Sequence, residues 1–328
     1  MKLGIVILNW NGTELLKKFI PSLLKYTPKE YNIYIIDNGS NDNSINYINE
    51  NFSEINIIKL EKNYGFAKGY NLGLKEVNDD ILCLLNNDVQ VTKDWTKNII
   101  KQFENEPKTM VIQPKMMNYK QKGYFDYAGA AGGFLDKYGY PYCNGRIGNK
   151  VEKDYLQYDK NTDIFWACGA CFFIRNKTFK KMNGFDNLFW AHMEEIDLCW
   201  RIQNSGGLIK YNCNSLVYHL NAGTLKHNDV KKTYLNFRNK LFMLTKNSQN
   251  NLFFLLLQKF FYDLVISYYI LFSKGIKHFF AIFRAYFSFY KHINLLIEFR
   301  RNNKRKIKHY KISSIMLKYY GLKRTKSV

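Results

Sequence analysis

The chain has 328 residues and 49 Lys and Arg against 27 Asp and Glu, a formal net charge of +22. That length fits one α/β domain of about two hundred residues with an appendage. Six Cys lie mostly inside apolar runs, and the opening MKLGIVILNWNG lacks the charged start, apolar stretch and cleavage site of a secretory signal; these features exclude a secreted disulfide scaffold and indicate a reduced, cytosolic protein.

Apolar runs at Leu3 to Leu8, Ile33 to Ile36, Ile55 to Leu60 and Ile81 to Leu85 predict strands. Each is followed by a segment with helical spacing, as in TELLKKFIPSLLKY and DNSINYINENF. Strands apolar on both faces and separated by helices imply a mostly parallel sheet with right-handed crossovers. Such a sheet binds ligands at the carboxyl ends of its strands. The first strand delivers Asn9 to Gly12 there, the second Asp37 to Ser44, the third Glu61 to Gly73 and the fourth Asn86 to Asp88. Any one of these clusters passes as a turn. Four in register form a constellation that turns need not produce.

Further along, Tyr124 to Gly148 is Gly-rich and aromatic, and predicts loop and short strand on the acceptor side of a site. Cys168 and Cys171 have redox or zinc spacing, but no second CxxC accompanies them and their neighbours are Trp, Ala and Phe, so they read as buried thiols. In HMEEIDLCWRIQNSGG a helix places Glu195, Leu198, Cys199 and Ile202 on one face and Glu194, Asp197 and Arg201 on another. Glu195 is then the acid on a core-directed stripe, where partial desolvation moves its pKa toward that of a base. A solvated or ion-paired face is the default for the other three and is taken for Asp197 and Arg201. His219 ends a further strand-like run, where a lone His is by default a satisfied core or surface residue. Trp166 and Trp190 read by default as core.

The stretches VILNWNG, IIDNGSNDNS, NYGFAKGYNLG, LLNNDV and NGFDNLFWAHMEEIDLCWR resemble, in order, the motifs of the family 2 glycosyltransferases with the GT-A fold, in particular the rhamnosyltransferase-like branch. The resemblance runs from about Met1 to about Thr224. It implies a Rossmann-like GT-A catalytic domain over residues 1–225; residues 226–328 read from their own composition as a helical, membrane-associating region. It also implies a nucleoside-diphosphate sugar as donor. Asp37 would accept from the ring N–H of a uracil- or thymine-like base, and Asn9, Asn11, Asn63, Gly65, Gly69, Asn71, Asn86 and Asn87 would line the nucleotide sugar. Asp88, in a DxD-like element, would hold Mg²⁺ or Mn²⁺ against the diphosphate, with His219 beside it; a hard cation takes oxygen ligands and keeps waters and phosphates for the rest. Asn86 stands where the fuller pattern has Asp, which removes one negative charge. The second acid of the doublet, Glu195, would be the base, with Glu194 as the alternate, and Trp190 and His192 would border the acceptor. One base and no protein nucleophile mean a single in-line displacement with inversion.

Residues 252–290 are dense in Phe, Tyr and Leu, but Asp263 and Lys274 bound a charge-free run of only ten residues, about half of what a membrane span needs. The segment predicts interfacial helices on the inner face of the cell membrane. Residues 291–328 carry twelve Lys or Arg against Glu298 alone, a basic tail suited to acidic headgroups. The leading expectation is a peripheral transferase extending a lipid-linked glycan. A metal-dependent nucleotidyltransferase would share the sheet and the carboxylate, but LNWNGTE stands where its Gly-rich phosphate motif belongs. A nucleic-acid-binding protein is disfavoured because no recognised nucleic-acid motif occurs.

Overall fold

The computed structural model describes residues 1–222, 228–303 and 307–318. The four apolar runs form β1 (Leu3–Asn9), β2 (Asn32–Asp37), β3 (Asn56–Lys59) and β4 (Ile81–Asn86), separated by α1 (Thr13–Tyr26), α2 (Ser44–Asn51) and α3 (Gly65–Gly73). They pair in parallel, β1 with β2 and β4, and β2 with β3. β1 and β4 are buried along nearly their whole length because helices cover both faces, so their apolar residues run without alternation.

The chain continues through β5 (Val89–Val91), α4 (Lys97–Asn105), β6 (Thr109–Asn118), β7 (Gly133–Asp136), β8 (Pro141–Cys143), β9 (Arg146–Ile147), β10 (Lys150–Val151) and β11 (Thr162–Asp163). Then follow β12 (Cys171–Arg175), α5 (Asn176–Lys181), α6 (Glu194–Asn204) and β13 (Leu208–His219). The main sheet has the order β11-β13-β6-β12-β4-β1-β2-β3, with β5 beside β13. The sheet is mixed: β12 runs antiparallel to both neighbours, β4 and β6, while β13 is parallel to β6. The expected parallel character therefore holds across β4, β1, β2 and β3 and again between β6 and β13, and breaks at β12 and at β5 and β11, which run antiparallel to β13. This reversal brings the start of β12 to the carboxyl end of β4, where Cys171 pairs with Leu85 and the Asn86 N–H donates to the Ala170 carbonyl at 2.8 Å.

The Gly-rich middle segment forms most of a second sheet, β10-β9-β8-β7-β14, with β14 (Tyr310–Ile312) arriving from the carboxyl-terminal end. Gly133 is required by close approach, since a Cβ there would lie 2.1 Å from the Trp166 ring. Trp166 is buried and its Nε1–H donates to the Phe134 carbonyl at 2.9 Å, so it is core. Cys168 and Cys171 are buried free thiols.

The last helices are α7 (Val230–Asn247), α8 (Leu252–Lys274) and α9 (Ile276–Asn302). The expected domain boundary at 225 and half of the cations of the basic tail, at 304–306 and 319–328, lie outside the described residues. α7 is not an appendage, because it covers the outer face of α6. Asp197 is fully buried, accepting from Arg201 Nε at 2.8 Å, Lys246 Nζ at 3.0 Å and Asn247 Nδ2 at 2.8 Å. For Asp197 and Arg201 the ion-paired alternative holds, as a buried cluster between two helices rather than a solvated pair, and Glu194 is buried outside it. Replacing Lys246 by Met removes a partner from a carboxylate that water cannot reach, and should cost about 3 kcal/mol in chemical denaturation. An unchanged midpoint would show that Arg201 and Asn247 satisfy Asp197 alone.

Residues 307–318 are not a free tail either. The Ile307 N–H donates to Asn204 Oδ1, β14 pairs with β7, and the Ile315 N–H donates to Asp136 Oδ2. α8 is long and apolar enough to cross a membrane by length and composition. Its buried residues Leu255, Lys259, Asp263 and Ser267 recur every fourth position, so its inward stripe is largely polar. Lys259 pairs with Asp263 at 2.9 Å, and Asp263 also accepts from Tyr140 and Tyr286 at 2.5 and 2.8 Å. Phe253, Phe261, Val265, Phe272, Phe280 and Phe287 of α8 and α9 are exposed.

Candidate functional site

The four polar clusters at the strand ends meet and hydrogen-bond one another. Asn9, fully buried, donates from Nδ2 to Ser44 Oγ at 3.0 Å and accepts at Oδ1 from Asn87 Nδ2 at 3.0 Å. Asn11, at φ 49°, accepts from the Asn41 N–H at 2.8 Å. Asp37 closes an Asx turn by accepting from the Ser40 N–H at 3.2 Å, and it is buried at the tip of β2. Asn63 accepts from the Gly65 N–H at 2.8 Å and from Asn38 Nδ2 at 3.1 Å. Gly65 has φ 78° and abuts Trp190, whose ring nitrogen would sit 2.8 Å from a Cβ. Gly69 packs against Asn38 and Leu8.

Asn71 behaves differently. Its amide donates to the Phe185 carbonyl at 2.7 Å and accepts from the Phe185 N–H at 2.9 Å, pinning the loop before α6. Both polar atoms are spent on that loop, so the expected contact with the nucleotide sugar is corrected to support of the loop.

Asp88 follows directly from the end of β4. Its Oδ2 accepts from the Ala222 N–H at 2.7 Å, while Oδ1 lies 3.2 Å from His219 Nε2 without hydrogen-bond geometry. His219 closes β13, and its Nδ1 lies 3.0 Å from Asp126 Oδ2. Asn221 donates to the other oxygen of Asp126. Burial alone would lower the imidazole pKa, but Asp126 first and Asp88 second raise it to about 10. Burial alone would likewise raise the Asp88 carboxyl; the imidazolium and the Ala222 N–H outweigh it and hold the group below the usual carboxylate range.

A buried carboxylate oxygen lacking a hydrogen bond, beside an imidazole, suits a divalent cation that completes its shell from a diphosphate and water. Among the described residues no group of three His, Cys, Asp or Glu is placed to hold a metal by itself. Asp88 is thus the candidate protein ligand, and His219 could join it only after its Nε2 gives up the proton that the two carboxylates stabilise. Asp126, a residue that sequence reasoning missed, orients His219 from behind, as outer-shell carboxylates do. Its signal was faint: one acid in a Gly-rich loop, YFDYAG.

Across the Gly169–Ala170 step from β4 stands the acidic doublet. A Cβ at Gly169 would lie 3.8 Å from Glu195, while Ala170 accepts from Asn86. The two residues before α6, His192 and Met193, have φ 70° and 72°. Left-handed backbone at consecutive non-glycine residues is costly and is typical of functional sites. Asn239 of α7 holds this turn by donating to the His192 carbonyl at 2.7 Å. Glu194 is buried and Glu195 only half-buried, each with an oxygen lacking a hydrogen bond. The facing argument thus needs correction, since Glu194 is the more buried acid. Burial pushes Glu195 up to about 7 against the pull of nearby backbone N–H groups. Burial and then the Glu195 charge push Glu194 well above its ordinary range. Trp190 carries Lys231 Nζ 3.6 Å from its ring centroid, and His192 Nε2 is buried without a hydrogen bond.

The chain is 23% identical over 214 residues to the rhamnosyltransferase WbbL of Escherichia coli (strain K12), covering 63% of this chain and 79% of that protein. It is 20% identical over 235 residues to the N-acetylglucosaminyl-diphospho-decaprenol L-rhamnosyltransferase of Mycobacterium tuberculosis (strain ATCC 25618 / H37Rv), covering 67% and 76%. Among solved structures, GalNAc-T7 with UDP, GalNAc and Mn²⁺ superposes with a TM-score of 0.66 at 16% identity, over 98% of this chain and 57% of that one. S. aureus TarS 1–349 in complex with UDP-GlcNAc gives 0.57 at 14% identity, over 92% and 88%. These structural likenesses establish the GT-A fold. The model of glycosyl transferase family 2 matches residues 4–182, more than half of the chain, and the protein belongs to that family.

Proposed function

We propose that the protein is an inverting glycosyltransferase that moves a sugar from a UDP- or dTDP-sugar to a hydroxyl of a lipid-linked glycan at the cytoplasmic face of the cell membrane. The observation that carries the reading is the placement of Asp88 and Glu195 on one rim, on either side of the Gly169–Ala170 step. Asp37 at the end of β2 and the Asn9–Asn87 pair at the ends of β1 and β4 support a base and ribose pocket on that rim. Asp88, with His219 once its Nε2 is deprotonated, would hold Mg²⁺ or Mn²⁺, and the cation would supply electrostatic stabilisation of the leaving diphosphate. Glu195, lifted toward neutrality by burial, takes the proton from the attacking hydroxyl, while burial and the Glu195 charge keep Glu194 protonated. The relatives' names, one of which specifies a decaprenol-linked acceptor, support a lipid carrier.

A panel of UDP-, dTDP- and GDP-sugars with each metal, followed by NMR of the product's anomeric centre, tests the reading. Retained configuration would overturn the single displacement. Failure to turn over any sugar nucleotide with a lipid-linked or free glycan acceptor would overturn the reading as a whole.

The membrane part rests on α8, whose polar stripe faces the protein and whose aromatic face is bare. A helix with that inverted pattern suits burial at an acyl boundary, with aromatic rings at headgroup depth. Phe272→Glu combined with Phe280→Glu is expected to reduce flotation with phosphatidylglycerol-containing vesicles by about tenfold or more. Unaltered flotation would remove the hairpin from the contact.

A further inference from the structure

The tip of the α8–α9 hairpin reaches the rim of the catalytic cleft. Thr233 in the first turn of α7 hydrogen-bonds His278 in the first turn of α9 at 2.8 Å, with both side chains buried. Further along α7, Asn239 donates to the carbonyls of Ala191 and His192, at 3.0 and 2.7 Å. α7 therefore clamps the hairpin tip on one side and the turn carrying Trp190, His192 and the acidic doublet on the other. Positive charge collects at this junction. Lys231 lies over the Trp190 ring, and Lys274 ends α8 in solvent. Lys232 is half-buried and makes no hydrogen bond or ion pair among the described residues.

Lys232 is held below its ordinary value by burial and then by the charge of Lys274, with Asp229 only partly opposing. The same ammonium adds to the burial that lowers His192 to about 4. Asp229 is already engaged as the N-cap, accepting from the Lys231 N–H at 2.7 Å. A half-buried ammonium facing a second one destabilises the free protein, and an anion bound between them would relieve it. The junction thus joins the hairpin tip to the turn that leads into the doublet.

We infer that Lys231, Lys232 and Lys274 hold the diphosphate of an isoprenyl-type lipid acceptor, whose chain stays against the apolar faces of α8 and α9 while its first sugar passes Trp190 into the cleft. This inference rests on the membrane-bound transferase reading above. A compact, doubly charged diphosphate complements clustered ammonium groups better than the singly charged, dispersed headgroups of a bulk anionic lipid.

The test is flotation of the full-length protein with phosphatidylcholine vesicles carrying decaprenyl diphosphate, compared with vesicles carrying phosphatidylglycerol at equal surface charge. The wild type should bind the diphosphate vesicles about tenfold more tightly. Lys232→Ala with Lys274→Ala should abolish that preference while phosphatidylglycerol binding persists, and Lys232→Arg should retain it. The double variant should unfold at or above the wild-type midpoint, since it removes a repulsion; if its midpoint falls, Lys274→Ala alone, at an exposed site, carries the comparison. Equal binding of both vesicle types by the wild type, or a preference surviving in the variants, overturns the inference and leaves the membrane reading standing. Displacement by stoichiometric inorganic pyrophosphate assigns the site to a free anion and overturns the lipid assignment. Failure of the wild type to bind either vesicle overturns the membrane reading beneath it.

Discussion

Glu195→Gln is expected to lower turnover by about a thousandfold while donor affinity stays within about a factor of two. The amide keeps the shape of the side chain and can still meet the backbone N–H groups at the start of α6, but it cannot take a proton. Because burial lifts the carboxyl to about 7, the wild-type rate should climb with pH through neutrality and level off above it. Stability should run the other way. The folded protein holds the proton more tightly than the unfolded chain does, from an ordinary value of 4.5. The favourable contribution is therefore present below 4.5 and lost as the pH rises through about 7. At pH 8 the Gln variant should be more stable than the wild type by up to ~3 kcal/mol, and near pH 4 the two should converge. Thermal midpoints across that range check the sign. Donor binding lost together with activity would reassign Glu195 to a structural role.

Asp88→Ala should abolish metal-dependent donor binding, by about a hundredfold or more in affinity, a loss of roughly 3 kcal/mol. Part of that loss could come from the Ala222 N–H, which loses its acceptor. Asp88→Asn separates the two effects, because the amide oxygen can still accept from Ala222 while the charge is gone. If the charge holds a cation, both variants fail in titrations of donor with Mg²⁺ or Mn²⁺. If only the backbone contact matters, Asn restores binding. Turnover undiminished in the Ala variant would refute the metal assignment.

The difference between what was legible in the sequence and what was not follows the range of the contacts. β1 to β4 were readable because each is an uninterrupted apolar run ending in polar residues, a purely local pattern. The acidic doublet was readable for the same reason. The antiparallel β12 was not, since Cys171 to Arg175 is equally apolar whichever way it runs and its direction is set by the turn at Gly169. The outer face of α6 looked solvated because Asp197 and Arg201 are charged, and their burial depends on Lys246, about fifty positions downstream. Asp126 was invisible because its partner His219 lies 93 positions away. The inward polar stripe of α8 could have been found, since Lys259, Asp263 and Ser267 recur at a spacing of four; counting charges as interruptions of a span hid it.

Both ends of the α8–α9 hairpin are sewn into the catalytic body, one through Lys246 and Asn247 beneath α6 and the other through β14 alongside β7. A paddle fastened at both edges cannot swing. If its aromatic face floats at the bilayer, the altitude of Glu195 above the lipid is a constant of the architecture, and the molecule works as a ruler. Acceptors of graded oligosaccharide length on one carrier should then show a sharp optimum in kcat/KM; a flat profile would mean that the enzyme rides loose of the surface.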